Sequence, residues 1–166
     1  MSKFAYFAGF FDGEGCVCIY QSRGPRDRRD TGRTTIRISV ANTNKEVLDQ
    51  FSTAFGGKVG KSGHTKPRLG RDGLQMWHWG IQGLKCKQFL QAIRPYAVVK
   101  AEQIRLGLEY LDFCEKRAQR KERGTSWSDN LARYIPFQRH TADDIGRGLD
   151  YGRKMGRLNN PAGVSG

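Results

Sequence analysis

Two stretches of strict alternation, residues 15–23 and 33–41, constrain this chain more than any other feature. In the first, Val17, Ile19 and Gln21 fall on one side and Cys16, Cys18, Tyr20 and Ser22 on the other. In the second, Ile36, Ile38 and Val40 oppose Thr35, Arg37 and Ser39. A strand sends successive side chains to opposite faces. Each stretch therefore reads as a strand with one face on a core and the other open. The link between them, GPRDRRDTG over 24–32, is rich in turn residues, so the pair is a long-looped hairpin.

The rest of the chain supplies what covers that apolar face. Residues 4–13 read as a short helix, apolar nearly all round and so buried on all sides. Asn42 and Asn44 start a helix to about Phe55, with Val47, Leu48, Phe51 and Phe55 on its buried stripe. Gly56-Gly57 stops it. Two further strands follow near 58–68 and 74–81, joined across the turn signal Asp72-Gly73. In the later strand Trp77, Trp79 and Ile81 share one face and Met76 and His78 the other, and the tryptophans are expected to pack under the helices. A helix over 84–94, with Leu84, Phe89, Leu90 and Ile93 inward, precedes Pro95 and a longer helix over about 98–118.

The order α, ββ, α, ββ, α, α predicts one α+β domain with an antiparallel sheet over residues 1–119. Residues 120–166 read as a helical or irregular appendage that docks on the domain or on a nucleic acid. Its helix, 142–158, has Ile145, Leu149 and Met155 along one face, and Gly146, Gly148, Gly152 and Gly156 weaken it. The chain shows no internal repeat, so any site it carries is present in one copy.

Charge narrows the partner. The chain has 29 lysines and arginines against 16 acids, a formal +13. The surplus thickens in two strand-like regions. Residues 23–37 carry Arg23, Arg26, Arg28, Arg29, Arg33 and Arg37, and residues 57–71 carry Lys58, Lys61, His64, Lys66, Arg68 and Arg71 with no acid. Two basic stretches on extended segments favour a polyanion. An anionic membrane surface would prefer a basic amphipathic helix, and no apolar run approaches the roughly 18 residues of a span, so no membrane partner is expected. Phe4–Phe11 could pass for a signal-peptide core, but it leads into Asp12, Gly13 and Glu14 where a small-residue cleavage site would be needed. Cys16, Cys18, Cys86 and Cys114 form no C-x-x-C pair. They read as reduced thiols of a protein that is not secreted, in a cytoplasm or an organellar matrix.

The segment with chemistry is Ala5–Gly15. Ala5, Gly9 and Gly13 recur every four residues with Ala8 beside them, a stripe on which a second helix could approach closely. Asp12 and Glu14 follow at the helix C-terminus, where the dipole and the unsatisfied carbonyls oppose a negative charge by about 0.3–1 kcal/mol unless a cation sits there. A carboxylate with a backbone carbonyl suits Mg²⁺ or another hard divalent ion. If the stripe packs against its own copy about a two-fold axis, the two Glu14 side chains converge and can clamp such ions for phosphodiester hydrolysis. Ala5, Ala8, Gly9 and Asp12 would then lie at the dimer interface. Asp12 is the weaker ligand and more plausibly accepts hydrogen bonds from backbone near the helix end.

The nine residues FAGFFDGEG, Phe7–Gly15, resemble the LAGLIDADG motif of homing endonucleases, with Glu for the second Asp. The αββαββα order over 4–118 is similar to that family's fold, as is IRPYAVVKAEQ with Pro95 and Lys100. The resemblance implies a homodimeric, metal-dependent endonuclease that makes double-strand breaks in a long pseudo-palindromic DNA site. Glu14 would hold the metal with the carbonyl of Gly13, Lys100 would sit near the scissile phosphate, and Asn42 would order the water. Asn42 reads equally well as a helix cap or an Asx-turn residue. A splicing maturase acting on intron RNA, or a non-cleaving regulator, is the alternative on the same fold.

A two-stranded ribbon fits the major groove. The open faces of the hairpins supply Cys18, Tyr20, Ser22, Arg33, Thr35, Arg37 and Ser39 from the first and Lys61, His64, Lys66 and Arg68 from the second. Arg37 is the best placed for a guanine. The loop residues Arg26, Arg28 and Arg29 suit phosphates.

Overall fold

In the computed structural model, residues 2–21, 34–64, 73–124 and 142–160 are described. The elements are α1 (Lys3–Glu14), β1 (Gly15–Gln21), β2 (Thr34–Asn42), α2 (Lys45–Phe55), β3 (Lys58–His64), β4 (Gln75–Gln82), α3 (Cys86–Ile93), α4 (Ala101–Gly124) and α5 (Ala142–Asn159). The strands form one antiparallel sheet in the order β1-β2-β4-β3. The helices cover one face of it and leave the other open.

Both alternating stretches form strands in the expected phase. Val17, Ile19, Ile36, Ile38 and Val40 are buried, and Val17 pairs with Ile38 and Ile19 with Ile36. Under the helices the core is aromatic. Phe51 lies 4.7 Å from Phe7 and 5.1 Å from Trp79 between ring centroids, and Phe89 packs on Phe11, Phe55 and Trp79. Trp79 and Ile81 are buried beneath the helices as expected, with Trp77 partly so. The indole of Trp79 donates to the carbonyl of Gly56 at 2.7 Å. Gly57 follows with φ +89°, where a Cβ would meet Ile81 and the carbonyl of Gly80 at 2.6 and 2.7 Å. The glycine pair thus ends α2 and lets the chain turn tightly against β4.

Three expectations need correction. Leu84 is 52% exposed, because Gly83–Lys85 form a 3₁₀ turn ahead of α3 and rotate it out of the helix's buried stripe. Phe4 is also exposed and touches only the rim of the core through Phe55. Ala8 is fully buried in the chain's own core, while Gly9 and Gly13 face outward and Ala5 is half-buried. The small residues of α1 are therefore split between two faces, since the neighbours Ala8 and Gly9 point about 100° apart around the helix.

Helix α5 docks on the domain, antiparallel to α4, along the free edge of β1. Met155 is fully buried, and Tyr151 packs edge-on to Tyr110 at 5.6 Å. Two of its glycines permit this approach. A Cβ on Gly148 would lie 2.3 Å from Thr34 Oγ1, and one on Gly152 3.2 Å from the carbonyl of Ile19. Asn159 Nδ2 donates to the carbonyl of Val17 at 2.8 Å, so the helix also satisfies backbone that an edge strand would expose.

Candidate active site and nucleic-acid interface

The C-terminus of α1 meets the N-terminus of α4, and Asp12 joins them. Its carboxylate accepts from the backbone N–H of Val98 at 2.7 Å, Val99 at 3.2 Å and Lys100 at 3.0 Å. These groups lead into α4, whose first turn has no partners of its own for them. In return, Lys100 Nζ donates to the carbonyl of Asp12 at 2.5 Å. An ammonium thus answers the negative end of α1, and a carboxylate answers the positive end of α4.

Asp12 accepts backbone hydrogen bonds, though from α4's approach and not from its own helix end. Its carboxylate is committed to this junction, which lies at the surface beside the exposed Val98 and Val99.

Glu14 stands two residues on, at the last position of α1. It is exposed, and among the described residues its carboxylate has no hydrogen bond or ion pair. Gly13 beside it is exposed, and a Cβ there would meet nothing. The structure therefore brings Glu14, Gly13 and Lys100 to one place.

Asn42 ends β2, two residues beyond the Gly15–Val40 pair that follows Glu14. Asn42 Oδ1 accepts from the N–H of Asn44 at 2.9 Å, and Asn44 in turn caps α2 by accepting from Glu46. The Asx turn is therefore formed, and the register partner of Asn42, Trp77, lies on the helix-covered side.

The open face of the sheet adjoins this junction. Register places Cys16, Cys18 and Tyr20 of β1 opposite Ser39, Arg37 and Thr35 of β2. Continuing across, Ser39 meets Gly80 and Arg37 meets Gln82 of β4. The Arg37 guanidinium lies over Gly80, 3.8 Å from where a Cβ would be.

The second hairpin departs from the expected phase. Lys61 pairs with Trp77 and His64 with Gln75, which puts both on the helix side of the sheet, and Lys61 Nζ sits 5.8 Å from the Trp77 ring centre. A bulge between Lys61 and Gly63, the latter at φ +105°, breaks the alternation. In their place the open face gains Lys58, Met76, His78 and Gln82. The period-two reading of 74–81 had already grouped Met76 with His78, which was the available signal. His78 Nδ1 is buried without a hydrogen-bond partner. Ser22, Arg26, Arg28, Arg29, Arg33, Lys66 and Arg68 lie outside the described residues.

Cys16 and Cys18 face each other on this floor, their Sγ atoms 3.2 Å apart. The hydrogen bond from Cys18, aided by the nearby charge of Lys100, lowers the Cys16 thiol to about 6 against the opposing effect of burial. The same contact, with burial, pushes Cys18 up.

No known family profile matches this chain, and no curated protein matches it significantly in sequence. Solved structures do resemble it. The homing endonuclease I-CvuI, in complex with its target in the presence of calcium, aligns over 93% of this chain and 94% of its own, at TM-score 0.53 and 18% identity. The homing endonuclease I-TnaI aligns over 90% and 97% at TM-score 0.53 and 20% identity. The LAGLIDADG meganuclease I-CpaMI, bound to uncleaved DNA, aligns over 71% of this chain but 38% of its own, at TM-score 0.52 and 17% identity. The fold is that of the LAGLIDADG homing endonucleases.

Proposed function

We propose that this protein is a site-specific DNA endonuclease of the homing type. It acts as a two-fold homodimer that cuts both strands of a long, pseudo-palindromic duplex with the help of Mg²⁺ or a similar ion. The observation that carries the reading is an uncommitted Glu14 at the end of α1, whose terminus also receives Lys100 at the α1–α4 junction, beside an open sheet face. The structural neighbours support it: I-CvuI is described with its target and calcium, and I-CpaMI with DNA.

The donor chemistry fits a hard divalent cation, but one chain provides only half a site. Glu14 and the carbonyl of Gly13 are oxygen donors, whereas such ions take six or more. Among the described residues no cluster of three ligating side chains exists. A second copy's Glu14, water and the DNA phosphates would complete the set. When bound, the ion supplies Lewis acidity toward phosphate oxygens. Lys100 would place its side-chain amine beside the phosphate that carries the developing negative charge. Arg37, Ser39, Thr35 and Tyr20, with Lys58, His78 and Gln82, offer donors and acceptors to base edges.

Dimerisation is supported by the outward glycines. A Cβ on Gly9 or Gly13 would meet nothing among the described residues, yet glycine inside a helix costs about 1 kcal/mol relative to Ala. Close approach of a second α1 gives them a reason. Val98 and Val99, 80% and 72% exposed beside Asp12, extend the same apolar surface.

The test is selection of cleaved sites from a randomised duplex library with Mg²⁺. Wild type is expected to yield one long, pseudo-palindromic site, and Glu14→Gln to bind that site without cutting it. Undiminished cutting by Glu14→Gln would remove the proposal.

A further inference from the structure

The two thiols on β1 form a group that the carboxylate site does not use. Cys16 and Cys18 are two residues apart on one strand, both half-buried, both on the open face, with their Sγ atoms in contact at 3.2 Å. A disulfide needs about 2.05 Å between sulfurs, so roughly 1.2 Å of approach would join them. Residues two apart on a strand have Cα atoms about 6.8 Å apart. That is the upper end of what a disulfide spans, so closure also puckers the strand. The other two thiols are placed differently. Cys86 is fully buried beneath the sheet and Cys114 lies on α4.

We propose that Cys16 and Cys18 are a reversible dithiol–disulfide site on the open face, taking small-molecule disulfides as co-reactant, and that its closure displaces Glu14. One cysteine sulfur, having released its proton to water, attacks the small disulfide. A mixed disulfide forms and one small thiolate leaves. The second cysteine, also deprotonated, attacks the protein sulfur of that mixed disulfide. The intrachain S–S bond forms and the second small thiolate leaves. The thiolates take up the two protons, so two protein thiols are oxidised and one small disulfide is reduced to two thiols.

Geometry directs the strain toward Glu14. Between the cysteines, Val17 is fixed by its buried side chain and by Asn159 on its carbonyl. Both cysteines are in register with β2, but Cys18 pairs with Arg37 in the middle of the hairpin ladder, whereas Cys16 pairs with Ser39 one pair from its end at Gly15–Val40. Cys16 is one residue from the strand's beginning, and its upstream neighbours are Gly15 and Glu14. Movement therefore passes into the carboxylate. A misplacement of about 1 Å costs on the order of a hundredfold in rate. This effect on cleavage rests on the endonuclease reading, whereas the disulfide itself does not.

The full chain is reduced, desalted, exposed to oxidised glutathione, alkylated with iodoacetamide, digested with trypsin and weighed. The peptide holding both cysteines is expected to lose two hydrogens, take no alkyl group and revert with dithiothreitol. Cys18→Ser is expected to stop at glutathione held on Cys16. Alkylation of both thiols after oxidant, or bonds to Cys114 or between molecules, overturns the site. Cleavage by the oxidised wild type is expected to fall on the order of a hundredfold and to recover on reduction. The double variant Cys16→Ser/Cys18→Ser, whatever its own rate, is expected to cut equally before and after oxidant. A disulfide that leaves the wild-type rate unchanged overturns the coupling to Glu14. If the reduced wild type does not cut, the endonuclease reading fails and the mass result still decides the disulfide.

Discussion

Asp12→Ala removes the acceptor on which three backbone N–H groups converge, at 2.7, 3.2 and 3.0 Å. Loss of an N-cap acceptor costs roughly 0.5–2 kcal/mol. Two of the three donors, on Val98 and Val99, belong to highly exposed residues, so water replaces their partner at small cost. The third, on half-buried Lys100, is less easily rehydrated. The bond from Lys100 Nζ goes to the Asp12 backbone carbonyl and survives the change. The expected loss is about 2 kcal/mol, at the top of the capping range because the acceptor is charged and serves more than one donor. Asp12→Asn keeps one acceptor oxygen and should lose about half as much. Urea denaturation of the two variants and wild type, with a common slope, reads both values. A loss under about 0.5 kcal/mol for Asp12→Ala, the scatter of ordinary surface substitutions, would refute the view that Asp12 ties α1 to α4.

Two further outcomes follow from the packing. Met155→Ala is expected to destabilise the protein by about 2–5 kcal/mol, the range for emptying a buried methionine site; an equilibrium melt that leaves the midpoint unchanged would mean α5 is not part of the core. Gly9→Leu should leave the monomer's helix as stable or more so, by up to about 1 kcal/mol, since a Cβ there meets nothing. The same substitution should shift sedimentation from dimer to monomer, and an unchanged dimer would place the interface elsewhere.

How much of this was legible in the sequence depends on whether the information is local. The β1–β2 hairpin was, because the alternation from Cys16 to Tyr20 in β1 puts Val17 and Ile19 on one buried face. His64 falls on the helix side because the bulge at 61–63 shifts the phase by one residue, and a Gly-Lys-Ser-Gly run does not announce which residue is extra; Lys61 precedes the bulge and shares its face with Val59, opposite Trp77. The glycines of α5 read as weakness, yet Gly148 and Gly152 are contact points and Gly146 and Gly156 are open. A missing side chain looks the same in a sequence whether space is filled by a neighbour or left empty. The junction of Asp12 with 98–100 joins residues from opposite ends of the domain, so only the fold could reveal it. Even there, the conflict between a carboxylate and the end of α1 pointed to a compensating cation, and Lys100 is one.

The division between Asp12 and Glu14 follows from helix geometry. Residues two apart on a helix do not face each other, so two acids in this motif cannot do the same work. Asp12 turns to the α4 junction, where three N–H groups hold it. That contact anchors Lys100, whose ammonium reaches back to the α1 terminus and offsets the charge that makes an acid unfavourable there. Glu14 is thereby left at the helix end with its carboxylate unused by the described residues. A lone carboxylate of this kind contributes little to stability and is an incomplete cation site by itself. In the proposed function its value lies in meeting a second carboxylate, and Gly9 and Gly13, where a Cβ would meet nothing among the described residues, lie on the helix face along which that second copy would come.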